Sequence, residues 1–248
     1  MSSPRMLARI AGSFYLAMFV FTLFAGTVRD RIIESGDAAA TADSIRASAT
    51  VFLAAFVSDL VEITCMLLAG MALYLLLRRF HPLAGAAMVT FVAVAVAIGC
   101  LNLLSQYTAL TIATGEDYTR AFGRAGSDGL TLLFADMQHN GYYISSMFWG
   151  LWLLPLGYLV IKSGYFPRVL GFLLVIGGIG YLVDLFIRFL VPGTANMGNY
   201  LLAPGGIAEL LFTVWLLVKA VNVPETKTPM PTGEASAGVD ETHHRVRR

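Results

Sequence analysis

Apolar residues in this chain neither alternate with polar ones nor return on the three-to-four-residue beat of a surface helix; they come in unbroken runs. Six runs reach the roughly 20 residues a helix needs to cross a hydrocarbon core about 30 Å thick. They are Arg9 to Val28, Val51 to Leu77, Pro82 to Tyr107, His139 to Ile161, Val169 to Val191 and Tyr200 to Ala220. A membrane strand would alternate over about ten residues, and stretches such as VFLAAFV and LLVIGGIGYLV do not. The pattern predicts an all-α integral membrane bundle of about six transmembrane helices.

The segments between the runs add detail. Asp37 is placed to cap a helix through DAAATADSIRAS, leading straight into the second run. LTLLF, between Thr108 and Gln138, is too short to cross a bilayer and is expected to lie at the interface, with Asp128 as a cap. Short interfacial helices therefore belong on the outer side. Residues 1–221 form the transmembrane domain. From Asn222 the chain is polar, with Pro224, Pro229 and Pro231, and 222–248 is expected to be a disordered tail whose His243 and His244 are solvated.

Composition agrees with this division. Of 248 residues, 57% are hydrophobic and 13% charged, about half the quarter usual in a soluble domain. The net charge of +1 points to neither nucleic acid nor an acidic partner. The expected partners are the lipid bilayer and a small or lipophilic molecule; the oligomeric state is left open. The first run, behind Arg5 and Arg9, is longer than the 7–15 residues of a secretory signal core and reads as a retained helix. Cys65 and Cys100 lie inside apolar runs without a CxxC partner. With no HExxH or His-rich spacing either, neither a metal nor a cofactor is expected.

Lysine and arginine set the orientation. With the N-terminus inside, 11 of the 17 fall on the cytoplasmic side, among them Arg78, Arg79, Lys162 and Arg168 at tight turns. The other six, including Arg120 and Arg124 in a long loop, fall outside. Both termini are then cytoplasmic.

Polar groups inside the runs carry the candidate chemistry, because an ionisable group there costs about 2.5–3.5 kcal/mol on insertion scales and normally faces the bundle interior. Asp59 and Glu62 sit one turn apart on the second run, Asp184 and Arg188 four apart on the fifth, and Glu209 on the sixth. The third run adds Asn102 and Gln106; the fourth opens with Asp136, His139, Asn140 and Tyr143 along one stripe. Counted from the helix ends, these groups fall in the outer half of the membrane, as an outward-facing acidic pocket requires. Two carboxylates one turn apart in a low dielectric do not both ionise cheaply, so one is suited to exchanging a proton near neutrality. Asp59, Glu62 and Glu209 are the expected proton-handling groups. Asn102, Gln106, His139, Tyr143, Asp184 and Arg188 are the expected ligand contacts, although Asp184–Arg188 also reads as a structural pair and Asn102/Gln106 as interhelical bonds. Glu209 follows Gly205 and Gly206, which leave room beside it. Gly171, Gly177, Gly178 and Gly180 give the fifth helix a smooth packing side.

Several short strings, in order, resemble a known family: Arg9-Ile10-Ala11-Gly12, Gly36-Asp37-Ala38 before an acidic span, Gly157-Tyr158-Leu159, and Ser163-Gly164 with Pro167 to Gly171. Gly180 to Asp184 and then Glu209 with Trp215-Leu216-Leu217 complete the set. Over Leu7 to Val221 the chain resembles the bacterial membrane family known as domain of unknown function 4386. The resemblance implies a multipass protein of the bacterial cytoplasmic membrane and brings no activity with it. Two functions then fit the residues: a pocket binding a small or lipophilic molecule, as in a membrane-embedded acid–base enzyme, or a proton-coupled transporter or channel subunit. A structural or accessory protein is the third.

Overall fold

The computed structural model describes residues 3–191 and 198–222. All regular structure among them is helical: α1 (Pro4–Ile32), α2 (Ala38–Ala47), α3 (Ala49–Leu77), α4 (Pro82–Thr114), α5 (Glu116–Ser163), α6 (Arg168–Leu190) and α7 (Gly198–Val218). Five of them, α1, α3, α4, α5 and α6, are long and apolar enough to cross a membrane. The sixth apolar helix, α7, has 21 residues, or about 31 Å at about 1.5 Å per residue. The chain is a multipass membrane protein, as its unbroken runs predict. The expected tail lies, beyond Asn222, outside the described residues.

Local signals explain the helix ends. The Asp37 carboxylate accepts from the Ala40 N–H at 2.9 Å and caps α2. The helix does not continue into α3, because Ser48, with φ −120° and ψ 28°, divides them. At the opposite end of the bundle the His81 side chain accepts from the Ala84 N–H at 3.1 Å, ahead of Pro82 in the first turn of α4. Gly164, with φ +66°, closes α5 in the left-handed conformation that favours glycine.

The fourth run is where the structure departs from expectation. α5 spans 48 residues, interrupted at Gly123 (φ 69°, ψ 167°). Its longer part, from residue 124 onward, reaches about 60 Å, roughly twice the hydrocarbon thickness. LTLLF is therefore a stretch of this helix rather than an interfacial element of its own. Asp128 is not a cap but a buried side chain paired with Arg46. The extension is stable because α2 covers it. Arg46 pairs with Asp128, donates to the Ala113 carbonyl at 2.7 Å and pairs with Asp43 at 2.6 Å, while Arg124 reaches Asp43 at 2.5 Å. Beneath these charges, Ile45, Phe52 and Leu110 pack with Val28 and Ile32 from the end of α1.

Within the membrane the helices form a closed ring, each packed on its neighbours in the order α1, α3, α4, α5, α6, α7 and back to α1. Glycines let backbones touch at the crossings. A Cβ at Gly178 would stand 2.7 Å from the Gly150 carbonyl oxygen, one at Gly171 2.7 Å from that of Gly157, and one at Gly177 2.6 Å from the Gly205 Cα. The smooth side expected for α6 is used at Gly171, Gly177 and Gly178. Toward the end carrying Arg78 and Lys162 the ring is filled by apolar side chains, including Leu77, Leu159, Phe166 and Leu216. That end is a solid plug, and the Asn222 N–H donates to the Tyr165 carbonyl beside it at 3.0 Å.

Candidate functional site

Side chains from all six ring helices line the interior, with the longest series on α1, α3 and α5. On α1, Tyr15, Thr22 and Arg29 recur every seven residues, two turns apart, and so share one face. On α3 the series is Asp59, Glu62 and Met66; on α5 it is Gln138, Tyr142, Ser145, Trp149 and Trp152. These faces enclose two adjoining chambers. The deeper one is lined by Glu62, Glu209, Tyr142, Tyr181, Trp149 and Trp152, with Thr22 and Met66 among the remaining contacts. The other continues past Glu62 to Arg29, Asp59, Asn102 and Gln138. Thr22, Glu62, Met66, Tyr142 and Trp149 line both. Water-sized molecules find about 80 Å³ for their centres in the first chamber and about 40 Å³ in the second, against the ~10–15 Å³ that one water requires. The space suits a few waters or a slender molecule.

The three carboxylates have different surroundings. Asp59 forms an ion pair with Arg29, whose guanidinium also reaches the Gln106 Oε1 at 3.5 Å. Glu209 accepts from two tyrosines, Tyr15 at Oε2 and Tyr181 at Oε1, the latter at 3.2 Å. Glu62 is 7% exposed and has neither a hydrogen bond nor an ion pair among the described residues. Asp59 and Glu62 thus differ in their partners. Arg29 pairs directly with the first and acts on the second only through space, from the same chamber.

Glu209 bonds Tyr15, which lies about 16 Å along α1 from Pro4, while Arg29 stands about 21 Å farther on. The polar groups thus form one column about 21 Å long between the level of Tyr15 and that of Arg29. Gly205 does not leave free space beside the carboxylate: a Cβ there would meet the Tyr181 ring at 2.9 Å and the Gly177 Cα at 3.4 Å. It makes room for the tyrosine that bonds Glu209. Gly206 faces open space.

The sequence model of the DUF4386 family, a domain of unknown function, matches residues 10–220. The chain belongs to that family. An uncharacterized protein of Archaeoglobus fulgidus is 40% identical over 80 residues, which are 32% of this chain and 46% of that relative. The match thus spans about half of the archaeal protein. No solved structure matches.

The remaining expected site residues of this DUF4386 bundle separate into two groups. Asn102 lines the second chamber and donates to the Gln138 carbonyl at 2.8 Å, packed so closely on Gly141 that a Cβ there would stand 2.0 Å from its Oδ1. Gln106 supports Arg29, and its Nε2 has no partner among the described residues. The others lie outside both chambers, between α5 and α6. Asp184 pairs with Arg188 at 3.5 Å, the Arg188 guanidinium lies 3.7 Å from the centre of the Tyr143 ring, and Tyr143 meets His139 edge-on at 5.0 Å. His139 itself is exposed. Sequence reasoning missed Arg29, Tyr15, Tyr142 and Tyr181. The seven-residue recurrence on α1 was the available signal for the first two. Tyr142 was passed over for its neighbour Tyr143, because a stripe starting at Asp136 reaches 143 and one starting at Gln138 reaches 142.

Proposed function

We propose that this DUF4386 protein holds a small or lipophilic molecule in a membrane-embedded chamber open toward the α2 side. The observation that carries this reading is Glu62: a buried carboxylate without a partner, lining both chambers. Burying a polar group without a hydrogen-bond partner is costly, so a carboxyl in this place supports a role beyond packing. Asp59, fixed by Arg29, sets the local field. Glu62 and Glu209 are the groups able to exchange protons with a bound molecule, which suits a membrane-embedded acid–base enzyme. The apolar plug behind Tyr15 and Trp152 supports one-sided access.

The 21 Å polar column gives a second reading, proton-coupled transport, its one specific support. A carrier needs a path through the plugged end, and that requirement favours the chamber.

Mass spectrometry of extracts from the detergent-purified protein tests the chamber. A small lipophilic molecule should co-purify with the wild type and be lost from Thr22→Phe, which fills the space both chambers share. Equal retention by the two proteins rules the chamber out as the binding site.

The proposed setting is the bacterial cytoplasmic membrane with both termini inside. A reporter active only outside the cytoplasm, fused after Arg248, is expected to stay silent. Strong activity reverses the orientation and makes the chamber open inward.

A further inference from the structure

Resting on the chamber reading, and naming its ligand class, we infer that the deeper chamber takes the head of a lipophilic organic cation, an amine or quaternary ammonium. Its lining includes two carboxylates, Glu62 and Glu209, and no lysine, arginine or histidine. Arg29 lines only the adjoining chamber, where its ion pair is with Asp59. Glu209 has both oxygens occupied by tyrosine hydroxyls, an arrangement of two donors that suits the ionised form. Glu62 has no donor at all. An anionic ligand would meet two carboxylates, a neutral one would gain nothing from them, and a cation is attracted by both.

The walls fit the same ligand. Organic cations bind over the faces of tryptophan and tyrosine, within about 6 Å of the ring centre, and aromatic cages select quaternary ammonium groups in this way. Trp149, Trp152, Tyr142 and Tyr181 supply such rings around the carboxylates. Tyr142 and Trp149 are locked edge-on at 4.9 Å, and Trp152 is stacked on Tyr15 at 5.8 Å, so the cage is largely fixed in advance. Past Glu62, Ile63, Val96 and Leu103 provide an apolar wall along which a short chain can lie.

The probes are decyltrimethylammonium, decanol and decanoate, titrated into the full chain in a maltoside detergent. Binding is followed by tryptophan fluorescence and by thermal unfolding. The cation should give a saturable signal and bind at least tenfold more tightly than either of the other probes. Glu62→Gln should weaken it at least tenfold and leave decanol unchanged, and it removes no native hydrogen bond, so the variant keeps its fold. Trp149→Leu, read by thermal unfolding, should also weaken the cation selectively. If decanol binds as tightly as the cation, or Glu62→Gln binds the cation undiminished, the ligand class is wrong while the chamber stands. If no probe binds saturably, the chamber reading falls as well.

Discussion

Arg29→Met is expected to destabilise the bundle by about 3–5 kcal/mol, because it leaves Asp59 as a buried charge without its counter-ion. Both side chains are close to fully buried, at 14% and 10% exposure, so solvent does little to replace the lost partner. The substitution preserves most of the apolar stem and isolates the charge. Removing both charges should restore most of the loss: Arg29→Met with Asp59→Asn is expected within about 1–2 kcal/mol of wild type, since buried ion pairs are often nearly neutral against uncharged replacements. Denaturant unfolding in detergent, read as a double-mutant cycle, separates these terms. If Arg29→Met alone is as stable as wild type, the pair does not anchor that end of the polar column.

The second large effect concerns the crossing of α5 and α6. Gly178→Ala should cost about 1–3 kcal/mol, the range for overpacking a filled interior, and Gly178→Leu should not accumulate as folded protein. The obstacle is backbone: the new Cβ would face the Gly150 carbonyl oxygen at 2.7 Å and the Leu153 Cβ at 3.1 Å. Neither can swing aside as a flexible side chain would. Gly206→Ala is the control, since nothing lies within 4 Å of a Cβ there. It should be neutral or slightly stabilising, because alanine in a helix is favoured over glycine by roughly 0.5–1 kcal/mol. Thermal stability of the two alanine variants in the same detergent decides the matter, and equal values would mean that the crossing tolerates a wider spacing.

How much of the site was legible depends on what kind of information each residue carries. Asp59, Glu62 and Glu209 stand out in the sequence because a carboxylate inside an apolar run has a high cost wherever it points. Tyr142 and Tyr181 do not stand out, since tyrosine is ordinary in a membrane helix; only their place in the ring makes them part of the chamber. The same limit applies to α5. Hydropathy marks where its apolar stretch begins near His139, and the helix starts far earlier because α2 and the Arg46 pairs stabilise a polar extension.

The sequence alone determined that this is a helical membrane protein, where its tight turns before Pro82 and after Ser163 fall, and that several charges lie within its helices. These follow from local rules: a backbone in hydrocarbon must satisfy its own hydrogen bonds, and so forms helices wherever the apolar run is long enough. Only the tertiary structure decided what each charge meets. Arg29 reads as a residue of the outer flank until α1 packs on α3 and brings it to Asp59, 30 residues away. Glu209 reads as isolated until α7 closes the ring against α1 and meets Tyr15, 194 residues distant. Partnership across helices depends on their order and rotation around the ring, which close contacts such as Gly150–Gly178 and Gly177–Gly205 fix and which no single helix encodes.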